Sequence, residues 1–175
     1  MEPGTPRVAL LVHDGYQELE FWYPLLRLRE ASVAVAVIGA EPDHTYRGRL
    51  GYPVIADHGL AEVAAADFDL VIVPGGAAAD NIAGDRGMVA FVAAIAAAGK
   101  PVAALSEASK VLGKAGLLRG KKVSAGTEVR TALQADGATC DHDPATLDGL
   151  ILTSRGANDI PAFFRKFFDI LASAA

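Results

Sequence analysis

Cysteine is almost missing from this chain. Cys140 is the only one among 175 residues, which excludes an internal disulfide framework and any metal site built on several thiolates. The four histidines, His13, His44, His58 and His142, are scattered. None has the short ligand spacing of a zinc site, so no metal is expected. Basic charge is also scarce: 16 Lys and Arg stand against 21 Asp and Glu, for a net charge of −5. Without a clustered basic face, binding to nucleic acid is not expected. Long apolar runs are lacking too. Val8–Val12 is short, and the alanine-rich Phe91–Gly99 is stopped by Lys100 and Pro101. Neither matches a signal-peptide core or a membrane span, so a cytoplasmic protein with no membrane partner is expected.

What remains is an apolar, globular composition. Hydrophobic residues make up 51% and charged residues 21%, which excludes a disordered chain. The length fits one domain over residues 1–175. Apolar runs at Val8–Val12, Val33–Ile38, Leu70–Val73 and Val102–Leu105 alternate with helical patterns. They are continuous rather than alternating, as in strands buried on both faces. Leu19, Trp22, Tyr23 and Leu26 fall at helical spacing, as do Met88, Phe91, Val92 and Ile95. Ile160, Phe163, Phe164, Phe167 and Leu171 form the clearest stripe. Tyr46–Ala56 reads as a small hairpin. Ala145–Leu147 and Leu150–Thr153 read as a second, turning at Asp148-Gly149. The sum predicts an α/β fold: a three-layer α/β/α sandwich with a mainly parallel sheet and its site at the carboxyl ends of the strands.

Three loops follow such ends. The first, His13 to Glu20, leads into a helix. Pro24 removes the N–H that would bond the Glu20 carbonyl, so a kink is expected. Glu20 itself reads either as a functional acid or as a solvated one favoured by the helix dipole. The second, Val73-Pro74-Gly75-Gly76-Ala77, turns sharply and exposes N–H groups able to hold an oxyanion, or simply makes a tight turn. The third runs from Leu105 into Ser106-Glu107-Ala108-Ser109. A polar residue at this strand-to-helix corner reads as a nucleophile elbow or, more plainly, as an N-cap with an acid in the first turn.

Taken in order, the blocks DGYQELEFWYP, YRGRLGYPV, FDLVIVPGG, GKPVAALSEAS, AGLLRGKKV and DGLILTSRGANDIPAF resemble the ThiJ/PfpI family of the class I glutamine amidotransferase-like superfamily. The resemblance spans nearly the whole chain. It implies a flavodoxin-like sandwich, a homodimer or larger assembly, and a site near a subunit interface. It also implies activities among cysteine hydrolases, glyoxalase- or deglycase-type enzymes, isocyanide hydratases and stress proteins. The family elbow usually reads Ala-Ile-Cys-His-Gly, whereas the matching residues here are Ala104-Leu105-Ser106-Glu107-Ala108. The family glutamate that bonds the cysteine matches Glu20, and an additional acid of the protease-like branch matches Gln17. The Pro74-Gly75-Gly76 turn is intact. Gly126 falls near a position where some members carry tyrosine. A Cys-to-Ser exchange explains Ser106 but not Glu107 and Ala108, so the elbow reads as rewritten rather than inactivated. Cys140, in a strand expected at Ala138–Asp141, reads as a small buried hydrophobe.

Serine needs a strong neighbouring base. A Ser-His-Asp triad would require His13 to approach Ser106. Two carboxyls around one pocket push their pKa values apart, so that one serves as acid and the other as base. The expected function is therefore enzymatic: cofactor-free carboxylate acid–base chemistry of hydratase, lyase or isomerase type on a small molecule. Glu20, Ser106 and Glu107 would be catalytic, and His13, Gln17, Trp22, Gly75 and Gly76 would bind substrate. Phe21 and Tyr23 would add apolar walls. The alternatives are a serine-dependent hydrolase using Ser106, and a non-catalytic ligand-binding or stress-response dimer. A homodimer is also expected, from the resemblance and from exposed aromatic residues around Trp22 in the first helix.

Overall fold

A computed structural model describes residues 6–174. The first half carries β1 (Arg7–Leu11), α1 (Glu18–Glu30), β2 (Ala34–Gly39), β3 (Thr45–Arg47), β4 (Pro53–Ile55), β5 (His58–Gly59) and β6 (Leu70–Val73). Then come α2 (Ala78–Gly84), α3 (Arg86–Ala97), β7 (Val102–Leu105), α4 (Ser109–Lys114), β8 (Lys122–Ser124) and α5 (Thr127–Ala135). The chain closes with β9 (Thr139–Asp141), β10 (Ala145–Asp148), β11 (Ile151–Ser154) and α6 (Ile160–Ala174).

Seven strands form the main sheet in the order β10-β11-β7-β6-β1-β2-β5. Every pairing in it is parallel except β10 with β11. Alternation along the strands splits the core into two layers. Ala9, Leu11, Val71 and Val73 face one side, where Phe91, Val92, Ile95 and Leu112 cover them. Val8, Leu10, Leu70 and Ile72 face the other, against Phe21, Leu25, Leu28, Phe163 and Phe167. Helices thus bury both faces, which is the three-layer sandwich expected from continuous apolar strands. The β3–β4 hairpin forms as expected. In the second hairpin Asp148 pairs with Ile151, so the turn is Gly149-Leu150, one residue later than the Asp-Gly dipeptide suggests.

Helix α1 differs from its predicted stripe. Its buried residues are Glu20, Phe21, Pro24, Leu25 and Leu28. Leu19, Tyr23 and Leu26 are exposed, and Trp22 is half-buried. The helix is apolar on both sides, and periodicity alone cannot say which side meets the sheet. It stays helical through Pro24 over all of Glu18–Glu30. Among the described residues no helix is long and apolar enough to cross a membrane.

Candidate active site

The site is built where β1, β6 and β7 end. After β1 the chain reaches Gln17, whose Oε1 accepts the Glu20 N–H at 2.8 Å and caps α1. The cap fixes the first helical turn and carries Glu20 inward. Glu20 is only 1% exposed, so the solvated-acid reading fails. Its Oε2 instead accepts the Gly75 N–H at 2.9 Å.

Gly75 and Gly76 follow β6. Gly76 has φ +82°, and a Cβ there would lie 2.5 Å from the Gly15 carbonyl oxygen. That close approach accompanies the bridge between Tyr16 and Gly76 that ties the first loop to the second. A methyl on Gly75 would lie 2.4 Å from Oε2 of Glu20 and 2.7 Å from Oε2 of Glu107. Only glycine lets the two carboxylates face the same point.

Ser106 stands directly after β7 with φ +54°. That left-handed conformation is costly for a residue with a Cβ, and it is how a strand-to-helix elbow presents its side chain. Ser106 is 6% exposed. Its side chain does not cap the following turn, so the elbow reading holds over the N-cap reading. Its carbonyl accepts the Ser109 hydroxyl at 2.9 Å. Oε2 of Glu107 accepts the Gly76 N–H at 3.0 Å.

The two carboxyls are driven in opposite directions. Burial, and then the nearby Glu107 charge, pushes Glu20 up to about 7. Burial also acts to raise Glu107, but hydrogen bonds from the Ser106 hydroxyl, the Gly76 N–H and its own N–H, with Lys110 close by, hold it below the usual carboxylate range. One group is thus protonatable near neutrality while the other stays ionised.

Not every sequence candidate meets at this point. The Gly75 and Gly76 N–H groups are already taken by the two glutamates, so they do not form an empty oxyanion hole. The Gln17 carboxamide oxygen is committed to the helix cap. His13 lies in a separate 140 Å³ cavity with Asp14, Glu41, His44 and Tyr46, where its Nδ1 accepts the Asp14 N–H at 2.8 Å. Trp22 lines a groove of about 510 Å³ with Glu18, Leu19, Leu26, Leu50 and Tyr52, and its indole N–H donates to the Tyr16 hydroxyl at 3.2 Å. Phe21 is buried against Tyr16 and Tyr23 packs edge-on against Phe164, so neither walls the elbow. Cys140 is half-buried in β9, against the core, and burial raises its thiol.

Sequence reading missed four neighbours. Arg49 and Glu128 exert charge on Glu20, Arg49 favouring its ionised form and Glu128 opposing it. Lys110 acts likewise on Glu107. A Cβ at Gly156 would lie 3.9 Å from the Ser106 Oγ. Gly156 follows β11, a fourth strand end, and the rule that sites collect at strand ends would have marked it. Arg49, Lys110 and Glu128 carry no such signal.

Comparison with known proteins agrees with this fold. The DJ-1/PfpI family matches residues 6–170. A deglycase of Thermococcus kodakarensis is 31% identical, over 94% of this chain and 99% of its own length. Protein/nucleic acid deglycase 2 of Escherichia coli is 30% identical, over 97% of this chain and 99% of its own. Among solved structures, a two-domain protein of Anabaena variabilis with DJ-1/ThiJ/PfpI-like and ferritin-like domains is 30% identical, with a TM-score of 0.92 over 95% of this chain. The chain spans 48% of that larger protein.

Proposed function

This chain belongs to the DJ-1/PfpI family, and from that premise we propose that it is an enzyme that transforms a small molecule by carboxylate acid–base chemistry, without a cysteine nucleophile or a cofactor. The observation that carries the reading is the pair of glutamates facing one point across Gly75, with Glu20 at about 7 and Glu107 held low. At neutral pH, Glu20 delivers a proton and Glu107 accepts one. The Ser106 hydroxyl, placed by its strained backbone, orients the substrate. Such a pair suits hydration, dehydration or isomerisation.

Both relatives described above are named deglycases. We do not carry a thiol mechanism over, because Ser106 offers a hydroxyl of far higher pKa. A serine hydrolase is less well supported. His13 sits in another cavity, so it is not placed to act as a base for the Ser106 hydroxyl. We further propose a homodimer through the outer face of α1, where Leu19 and Leu26 border the 510 Å³ groove.

The test screens small carbonyl, nitrile and amide compounds for turnover. With a substrate in hand, Glu20→Gln and Glu107→Gln each lower turnover by about 10²–10⁴-fold. Ser106→Ala costs roughly tenfold, the worth of one hydrogen bond. The pH–rate profile is bell-shaped, because the pair works singly protonated. Loss of all turnover in Ser106→Ala with a trapped acyl adduct would establish the hydrolase instead. Binding without turnover across the screen would establish a ligand-binding protein.

A further inference from the structure

The donors around Glu107 form a set of their own. The Gly76 N–H reaches its Oε2 at 3.0 Å, and the Ser106 hydroxyl and Glu107's own N–H help to hold the same carboxylate ionised. Lys110 adds positive charge on the same group. A backbone N–H aimed beside an elbow residue is the kind of donor that stabilises an oxyanion in acyl-transfer chemistry. Here that donor is occupied by a side chain of the protein.

We propose that Glu107 is a built-in anion, its carboxylate filling the oxyanion seat of the elbow, so that the site excludes small carboxylates and takes uncharged molecules. This deepens the acid–base reading and rests on it. Two physical effects act together. A carboxylate ligand would find the donors already satisfied, and it would meet the charge of Glu107 and, above neutrality, that of Glu20. An uncharged ligand meets neither obstacle. The same occupancy explains why a serine elbow need not imply acyl transfer: the seat for a tetrahedral oxyanion is taken.

The experiment uses acetate as probe and needs no turnover. Glu107→Ala removes the resident carboxylate and frees the Gly76 N–H and the Ser106 hydroxyl. Sodium acetate then raises the Tm of E107A with saturation, as a ligand bound to the folded state must. The backbone amide signal of Gly76 moves along the same curve. Wild type shows neither response beyond that to sodium chloride at equal ionic strength. Acetate acting alike on both proteins, or on neither, overturns the proposal.

Should E107A fail to fold, wild type supplies a second reading by amide NMR. The Gly76 amide follows the titration of Glu107 on the acid side, and the Gly75 amide follows Glu20 near 7. Both amides following a single titration near 7 overturns the assignment. The two readings fail separately. Absence of acetate binding with a bell-shaped turnover profile removes the built-in anion and keeps the acid–base pair. Acetate binding by E107A alone, with no turnover in the screen, keeps the anion seat and removes the pair.

Discussion

Glu20 ties stability to pH in a direction opposite to most carboxylates. Its folded pKa of about 7 lies above the ordinary 4.5, so the folded chain holds a proton that the unfolded chain has lost across that window. Stability from this group is therefore full below about 4.5, declines as pH rises, and stays lowered above about 7. Glu20→Gln keeps an oxygen for the Gly75 N–H but cannot ionise. In urea unfolding it should match wild type near pH 4 and exceed it at pH 8, by at most roughly 3 kcal/mol. A difference independent of pH would contradict the burial argument. Glu107 has the ordinary sign: its contribution is lost as pH falls through its lowered folded pKa. At Cys140, burial raises the thiol pKa, so iodoacetamide should label slowly at neutral pH. Peptide mapping should find the label only there, with ligand binding or turnover unchanged. Glu20, Ser106 and Glu107 were marked as candidates because they lie in loops after strand ends and match the elbow and glutamate of the resembled family. Their partners were not, because the pairing of each glycine N–H with one carboxylate depends on how three loops meet in space.

At the scale of elements, the Pro-Gly-Gly turn acts as the spacer between two acids. Gly75→Ala would drive a methyl against Glu20, Glu107 and the Leu105 carbonyl oxygen, the last at 2.9 Å. Forced overpacking of this kind costs about 1–3 kcal/mol. A calorimetric Tm for Gly75→Ala equal to that of wild type would show that the loops yield freely. Strands β6 and β7 were legible to the residue because four-residue apolar runs bounded by polar or Pro-Gly segments leave little freedom. The stripes of α3 and α6 were legible as well, since their apolar residues occupy one side. Helix α1 was misread in orientation. It carries Phe21, Leu25 and Leu28 toward the sheet and Leu19, Tyr23 and Leu26 outward. Two apolar faces on one helix give periodicity nothing to choose between, and only packing against β1 and β2 decides.

At the scale of the whole molecule, that outward face departs from a polar surface. Leu50 is 82% exposed, and Leu19 and Leu26 are more than half exposed beside it. Light scattering at micromolar concentration should give the mass of a dimer, and the double substitution Leu26→Asp with Leu50→Asp should give a monomer that remains folded. A monomeric wild type would refute the self-association. The ends of the main sheet bear on the proposed assembly. One edge, β5, has only two residues. The other, β10, has four, with the Asp148 carboxylate at its end accepting the backbone N–H of Lys122 and pairing with Lys121 at 3.3 Å. Edges this short and this guarded make poor templates for a foreign strand. In the proposed dimer, contact would rest on side chains of one self-complementary patch, and a patch that meets its own image closes after two chains instead of propagating into a fibre.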